Sequence, residues 1–337
     1  MWKRLVQPRV LVAIAISAAA LAVVFSLVNI GTVMDRITSM PVPTLGMVFA
    51  LAVAYLSLKY GQFESLLEDL GEPRKRSLSL VAFSVGEVAV PIPAGIYAQN
   101  YVLSRFCCYD VARSAGATTA ILIVELVVSL LLLLVLGIPA WWWLRPAIGI
   151  LLFVAALFVV ALLKLRALRE LFDWALGRKL LQPVRAGLIE VVKGIEDLFK
   201  PHIMLRASIV ATAYLLALAG GFWLVGRGTG ASGLTFYQAT TIYLFAIVAT
   251  ELLPISAQLG VVELGGVGAA QAWGYSHDQG LAMMLGIRFV WTASVWLVAG
   301  IVLLVFHDEF TGGRKERERI RQALRTTVRE RVQGTRR

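Results

Sequence analysis

Five ionisable side chains lie inside apolar stretches of this sequence: Glu87, Glu125, Glu251, Glu263 and Arg288. An ionised residue at the centre of a membrane helix costs about 2.5–3.5 kcal/mol on insertion scales. Five of them rival the whole net stability of a typical fold, ~5–15 kcal/mol. The pattern therefore predicts that they converge on an interior where they pair, take up protons or meet water. A guanidinium cannot neutralise itself, so Arg288 suits a bound phosphate or carboxylate. The glutamates suit gating or proton relay along a polar path, or equally the stapling of helices and capping of broken ones. Four acids face one base in this set. Burial favours the neutral carboxyl, so either one or more carries a proton at neutral pH or a cationic group visits. Gln99, Asn100, Gln258 and Gln271 stand nearby in sequence, as hydrogen-bond donors to a substrate or as partners for backbone groups freed by prolines.

The elements that must position these groups are long and apolar. The chain of 337 residues is 58% hydrophobic and 16% charged, against about a quarter charged in soluble domains. Six stretches approach the roughly 20 residues needed to cross a bilayer: 10–30, 43–58, 115–137, 146–163, 203–225 and 280–306. The expected class is an all-α polytopic membrane protein with about six transmembrane helices. Its membrane domain would occupy residues 1–306 and a basic tail residues 307–337. A soluble enzyme and a disulfide-stapled secreted chain are both excluded. The basic N-terminal flank precedes 21 apolar residues, longer than the 7–15 of a secretory signal core, so an uncleaved anchor is expected.

Two apolar regions, 78–104 and 236–275, are interrupted. The first contains Glu87, Pro91, Pro93 and Gly95, and the second Glu251, Pro254, Gly260 and Glu263. Proline removes a backbone donor and clashes with the preceding turn. Irregular backbone at membrane depth survives only inside protein or beside a water-filled cavity. Each region is therefore expected to form a re-entrant pair of half-helices. Gly86-Glu87 leading to Pro91-Ile92-Pro93-Ala94 resembles Thr250-Glu251 leading to Pro254-Ile255-Ser256-Ala257. Each motif precedes a long final span. Paired breaks in oppositely oriented halves mark midplane sites in secondary transporters, so an inverted repeat is expected.

Charge fixes the expected orientation. With both termini cytoplasmic and both broken regions re-entrant, 28 of the 32 Lys and Arg residues fall in cytoplasmic segments, residues 59–77 among them. Arg36, Arg145 and Arg227 fall outside, and Arg288 lies within the last span. That is the positive-inside bias. It accounts for the net charge of +11 without nucleic-acid binding. Cytoplasmic residues 164–206 carry apolar positions at helical spacing, divided by Pro183. They suit helices lying at the lipid interface or a hairpin packed beneath the bundle. In the tail, Ile320, Leu324, Val328 and Val332 form a narrow apolar stripe among basic groups, suited to anionic-lipid contact, self-association or plain solvation. The adjacent Cys107 and Cys108 fall on the cytoplasmic side, where thiols stay reduced. His202, His277 and His307 are far apart. No metal motif or nucleotide-binding loop is read from the sequence, and no cofactor is expected.

At Gly86-Glu87, at PISAQLGVVELGG and at the following Arg288, the chain resembles the lysylphosphatidylglycerol synthase transmembrane-region family, which includes the flippase half of the MprF proteins. Gly86 and Glu87 match its first re-entrant motif, Pro254, Gly260 and Glu263 its second, and Arg288 its arginine in the last conserved span. The likeness covers roughly residues 10–306. It implies a bacterial inner-membrane protein that moves a phospholipid or a polyprenyl-linked glycolipid between leaflets in support of envelope lipid biosynthesis. Members often carry Asn, Pro and Arg just before the Gly-Glu, where this chain has only Leu80 to Val85, so the head group contacted there differs. The family's soluble aminoacyl-transferring domain is not in this sequence, and lipid lysinylation is not expected of it. Other expectations are a membrane-embedded head-group transferase, for which the external acids Asp35 and Asp278 are poor material, and a non-catalytic partner in an envelope-biosynthesis complex or homo-oligomer.

Overall fold

A computed structural model describes residues 30–72, 76–90, 95–107, 110–153, 182–251 and 258–306. The expectations for residues 10–29, for 154–181 and for the tail fall outside the described residues. Those described are helices and their connections. In chain order they are α1 (Ile30–Thr38), α2 (Val42–Asp69), α3 (Arg76–Ala89), α4 (Ala98–Cys107), α5 (Val111–Leu136), α6 (Leu144–Phe153), α7 (Gln182–Leu198), α8 (Pro201–Gly228), α9 (Phe236–Glu251), α10 (Gln258–Ala272) and α11 (His277–Val305).

Among the described residues, α2, α5, α8 and α11 are long and apolar enough to cross a membrane. Local chemistry sets their ends. Pro43 and Pro201 sit in the first turns of α2 and α8, where the missing N–H is no loss. Asp110 accepts from the backbone N–H groups of Ala112 and Arg113 at 2.7 and 3.3 Å to start α5, and Gly137 ends it with φ 71°. Ser276 and Gln279 form a reciprocal capping box on α11. The fourth expected span, 146–163, is described only as far as Phe153.

One boundary needs correction. The second span is expected to end near residue 58, with residues 59–77 counted as cytoplasmic; the helix instead continues as α2 to Asp69. Its buried residues Tyr55, Leu56, Lys59, Gln62, Phe63, Leu66 and Leu67 recur at three- and four-residue steps. That is one face of a single helix, and Lys59 lies on it.

At the centre stands α8, packed against α2, α5, α9 and α11. It runs antiparallel to α2. Gly228 lies beside Met40 and Thr44, Gly220 beside Leu51, and Tyr214 beside Tyr55. Further along, Gln62 Nε2 donates to the Ala207 carbonyl at 3.0 Å, and Arg206 pairs with Asp69. Two apolar cores result. One gathers Tyr55, Phe63, Phe83, Ile121 and Tyr214; the other gathers Val33, Phe222, Ile242, Val267, Leu281 and Met283.

Each interrupted region folds into two short helices in contact, α3 with α4 and α9 with α10. They have 14, 10, 16 and 15 residues, all below the roughly 20 of a crossing. The second pair is antiparallel: Gly265 meets Ala246 and Ala249, Trp273 Nε1 donates to Thr241, and the Tyr275 hydroxyl donates to Gln238. Pro91, Pro93 and Pro254 lie outside the described residues. Gly95 opens a short 3₁₀ turn before α4, and a Cβ there would fall on the Ala89 carbonyl, so the close approach requires glycine.

Within residues 164–206, α7 packs on α5. A Cβ on Gly116 would stand 3.2 Å from the Gly194 Cα and the Val191 carbonyl, so the two backbones touch. Arg113 and Asp197 add an exposed pair at 3.8 Å. Residues 182–198 thus pack on the bundle, while the first half of the expected hairpin lies outside the described residues. Gly116→Val forces these backbones apart and is expected to cost about 1–3 kcal/mol; a lower melting temperature with faster proteolysis within 182–198 checks it.

Candidate functional site

Four helices meet around Lys59. Its Nζ donates to the Tyr55 hydroxyl one turn earlier at 2.7 Å. It also pairs with Glu87 Oε1 of α3 at 3.4 Å and with Glu125 Oε2 of α5 at 3.6 Å. The rings of Tyr55 and of Tyr214, from α8, face the same ammonium with centroids at 5.1 and 5.8 Å. The three charged side chains are 4–8% exposed. Glu125 is 14 residues from the start of α5, about 20 Å along the helix axis at 1.5 Å per residue, so the cluster sits deep in the bundle. An ammonium can offset only one of two carboxylates, and ions at this burial are tolerated only with partners.

A second charged centre joins α10 to α11. Arg288 Nε donates to Glu263 Oε1 at 2.7 Å, and Glu263 Oε2 accepts the Gly260 backbone N–H at 2.7 Å. The Gly260 φ of 89° is a left-handed conformation that suits glycine. It turns the first-turn N–H onto the carboxylate. Glu263 is 1% exposed, whereas the Arg288 side chain is 25% exposed. The pair thus has a sealed anionic end and a partly open cationic end.

Of the five charges expected to converge, the described side chains form these two centres rather than one pocket: Glu87 and Glu125 on Lys59, Glu263 on Arg288. Glu251 ends α9, and its side chain, like that of Gln258, is outside the described residues. Gln99 and Asn100 are both 1% exposed and bind Thr118 of α5, at 2.8 and 3.0 Å. Gln271 meets His277 at 3.2 Å near the start of α11.

The centres are neighbours. The Tyr55 ring, whose hydroxyl holds Lys59, lies edge-on to Trp291 with centroids 5.3 Å apart. Trp291 is one turn beyond Arg288. Tyr243 of α9 is within electrostatic reach of Arg288 and Glu263 and also of Glu125 and Lys59.

Lys59 is the candidate site residue that sequence reasoning missed. It was counted among the cytoplasmic basic residues because the apolar run pauses there. The available signal was helical phase: Lys59 falls in step with Tyr55, Leu56, Gln62 and Phe63, all facing inward.

Among curated proteins, none matches the chain. The family described as "Lysylphosphatidylglycerol synthase TM region" matches residues 10–307. The chain belongs to that family and is an integral membrane protein of a lipid-related kind.

Proposed function

We propose that this chain moves a phospholipid or polyprenyl-linked glycolipid between leaflets, with Arg288 receiving the anionic head group. The supporting observation is the asymmetry of the Arg288–Glu263 pair, a permanent cation one quarter exposed and held from behind by a sealed carboxylate. An arriving phosphate would compete with Glu263 for the guanidinium. Exchanging one anion for another keeps the buried charge offset throughout, and the planar fork suits phosphate oxygens. Acyl tails would remain against the apolar exterior, where Val135, Trp296, Leu297 and Leu304 are exposed.

The order of elements supports two inverted units. Long helix, short-helix pair and long helix recur as α2, α3–α4, α5 and as α8, α9–α10, α11. The leading helices α2 and α8 are antiparallel. In this reading the short-helix pairs enter from opposite sides of a bacterial inner membrane and the termini are cytoplasmic.

The test is reconstitution into liposomes containing a head-group-labelled phospholipid, with translocation followed by chemical quenching of the outer leaflet. A hydrogen bond to a charged group contributes about 1.5–3 kcal/mol. Arg288→Ala is therefore expected to slow translocation about 10- to 100-fold. Arg288→Lys, which keeps charge but loses the fork, falls between. Unchanged rates in folded protein would overturn the assignment.

A further inference from the structure

We infer that the Lys59–Glu87–Glu125 centre holds one exchangeable proton at neutral pH, a binding site separate from the head-group site at Arg288. Charge balance points first to it. Two carboxylates and one ammonium, none more than 8% exposed, leave one negative charge without compensation. Deep burial makes such an imbalance costly.

Among the described residues, the groups facing the centre do not supply the missing charge. Tyr55 and Lys59 come from α2, Glu87 from α3, Glu125 from α5, Tyr214 from α8 and Tyr243 from α9. From α4, Gln99 and Asn100 contribute only neutral amides. Arg288, beyond Tyr243, is engaged by its own carboxylate, Glu263.

Hydrogen bonding gives a second, independent indication. Gln99 Oε1 and the Tyr214 hydroxyl are buried without hydrogen-bond partners, and Glu87 Oε1 meets Lys59 at 3.4 Å without a well-aligned hydrogen bond. Gln99 Oε1 is turned toward the helix carrying Glu87, 2.8 Å from where a Cβ on Gly86 would stand. A buried acceptor oxygen without a donor, beside the helix that carries Glu87, is where an acidic hydrogen would be satisfied. A protonated carboxyl becomes a donor, which changes that count.

A proton fits better than a metal cation. The ammonium already lies 3.4 and 3.6 Å from the two carboxylates, and it would repel a second full cation placed among the same oxygens. The step is a bare proton transfer. A hydronium ion gives its proton to a carboxylate oxygen and leaves as water, taking the centre from net −1 to neutral.

The arithmetic gives the experiment. The full chain, in lipid nanodiscs, is titrated while infrared difference spectroscopy follows the carbonyl stretch of protonated carboxyls, identified by its deuterium shift. The wild type should show one such group discharged as pH rises. Glu87→Gln and Glu125→Gln should each lose it, because Lys59 then balances the carboxylate that remains. Lys59→Met should show two. Sodium added at constant pH should leave the band unchanged. A wild type lacking the band, a band that survives both glutamate substitutions, or one discharged by sodium would overturn the inference. No lipid transport is measured, so failure here is distinguishable from failure of the translocation reading.

Discussion

Lys59→Met destabilises the protein by about 3–5 kcal/mol, the cost of leaving buried charges without their partner. This is the largest effect expected of any single substitution here. The ammonium is the common counter-ion of Glu87 and Glu125 and also bonds to the Tyr55 hydroxyl. Methionine fills comparable volume, so packing changes little and the loss is electrostatic. Adding Glu87→Gln to Lys59→Met removes one of the two carboxyls that must then be held protonated and is expected to recover part of the stability. Denaturant titration in micelles, followed by tryptophan fluorescence, reads both variants. A stable Lys59→Met protein, or a double variant weaker than the single one by the full additive amount, would contradict the pairing.

Glu263→Gln comes next, at about 1.5–3 kcal/mol for a hydrogen bond between charged groups. The amide oxygen can still accept from the Gly260 N–H, so the α10 turn survives and the effect falls on Arg288. Removing both charges with Glu263→Gln and Arg288→Met is expected to cost less than the sum of the two single changes. Replacing both members of a buried pair avoids stranding either one. The coupling from this double-mutant cycle measures how firmly the resting pair is latched. A coupling near zero would mean that Glu263 does not hold Arg288.

Several features were legible in the sequence, and for physical reasons. Prolines and glycines at 91–95 and 254–260 announce broken helices because they disrupt backbone hydrogen bonding wherever they occur. Glu87, Glu125, Glu263 and Arg288 stand out because a charge in an apolar run is conspicuous. The choice of partner was not legible, since Glu87 and Lys59 belong to different helices and meet only through packing. Lys59 was hidden by a different effect. It follows the last strongly apolar turn of α2, where hydropathy falls but helical phase continues. Composition marked the residue as loop, and period would have marked it as core. The charges expected in a single pocket form two neighbouring centres, linked by the Tyr55–Trp291 contact.

The glycine flank of α8 has a mechanical consequence. Gly220, Gly221, Gly226 and Gly228 meet Leu51 of α2, Trp291 and Met283 of α11, and Met40 of the α1–α2 connection, and α8 contributes to both apolar cores. Large side chains seated where Cβ atoms would stand bring the neighbouring elements close to the α8 backbone, and small displacements of closely packed helices are shear motions. Rocking one half of the molecule on the other would thus turn on α8 as its axle. Bulk introduced along that bearing would jam the movement while leaving both charged centres chemically intact.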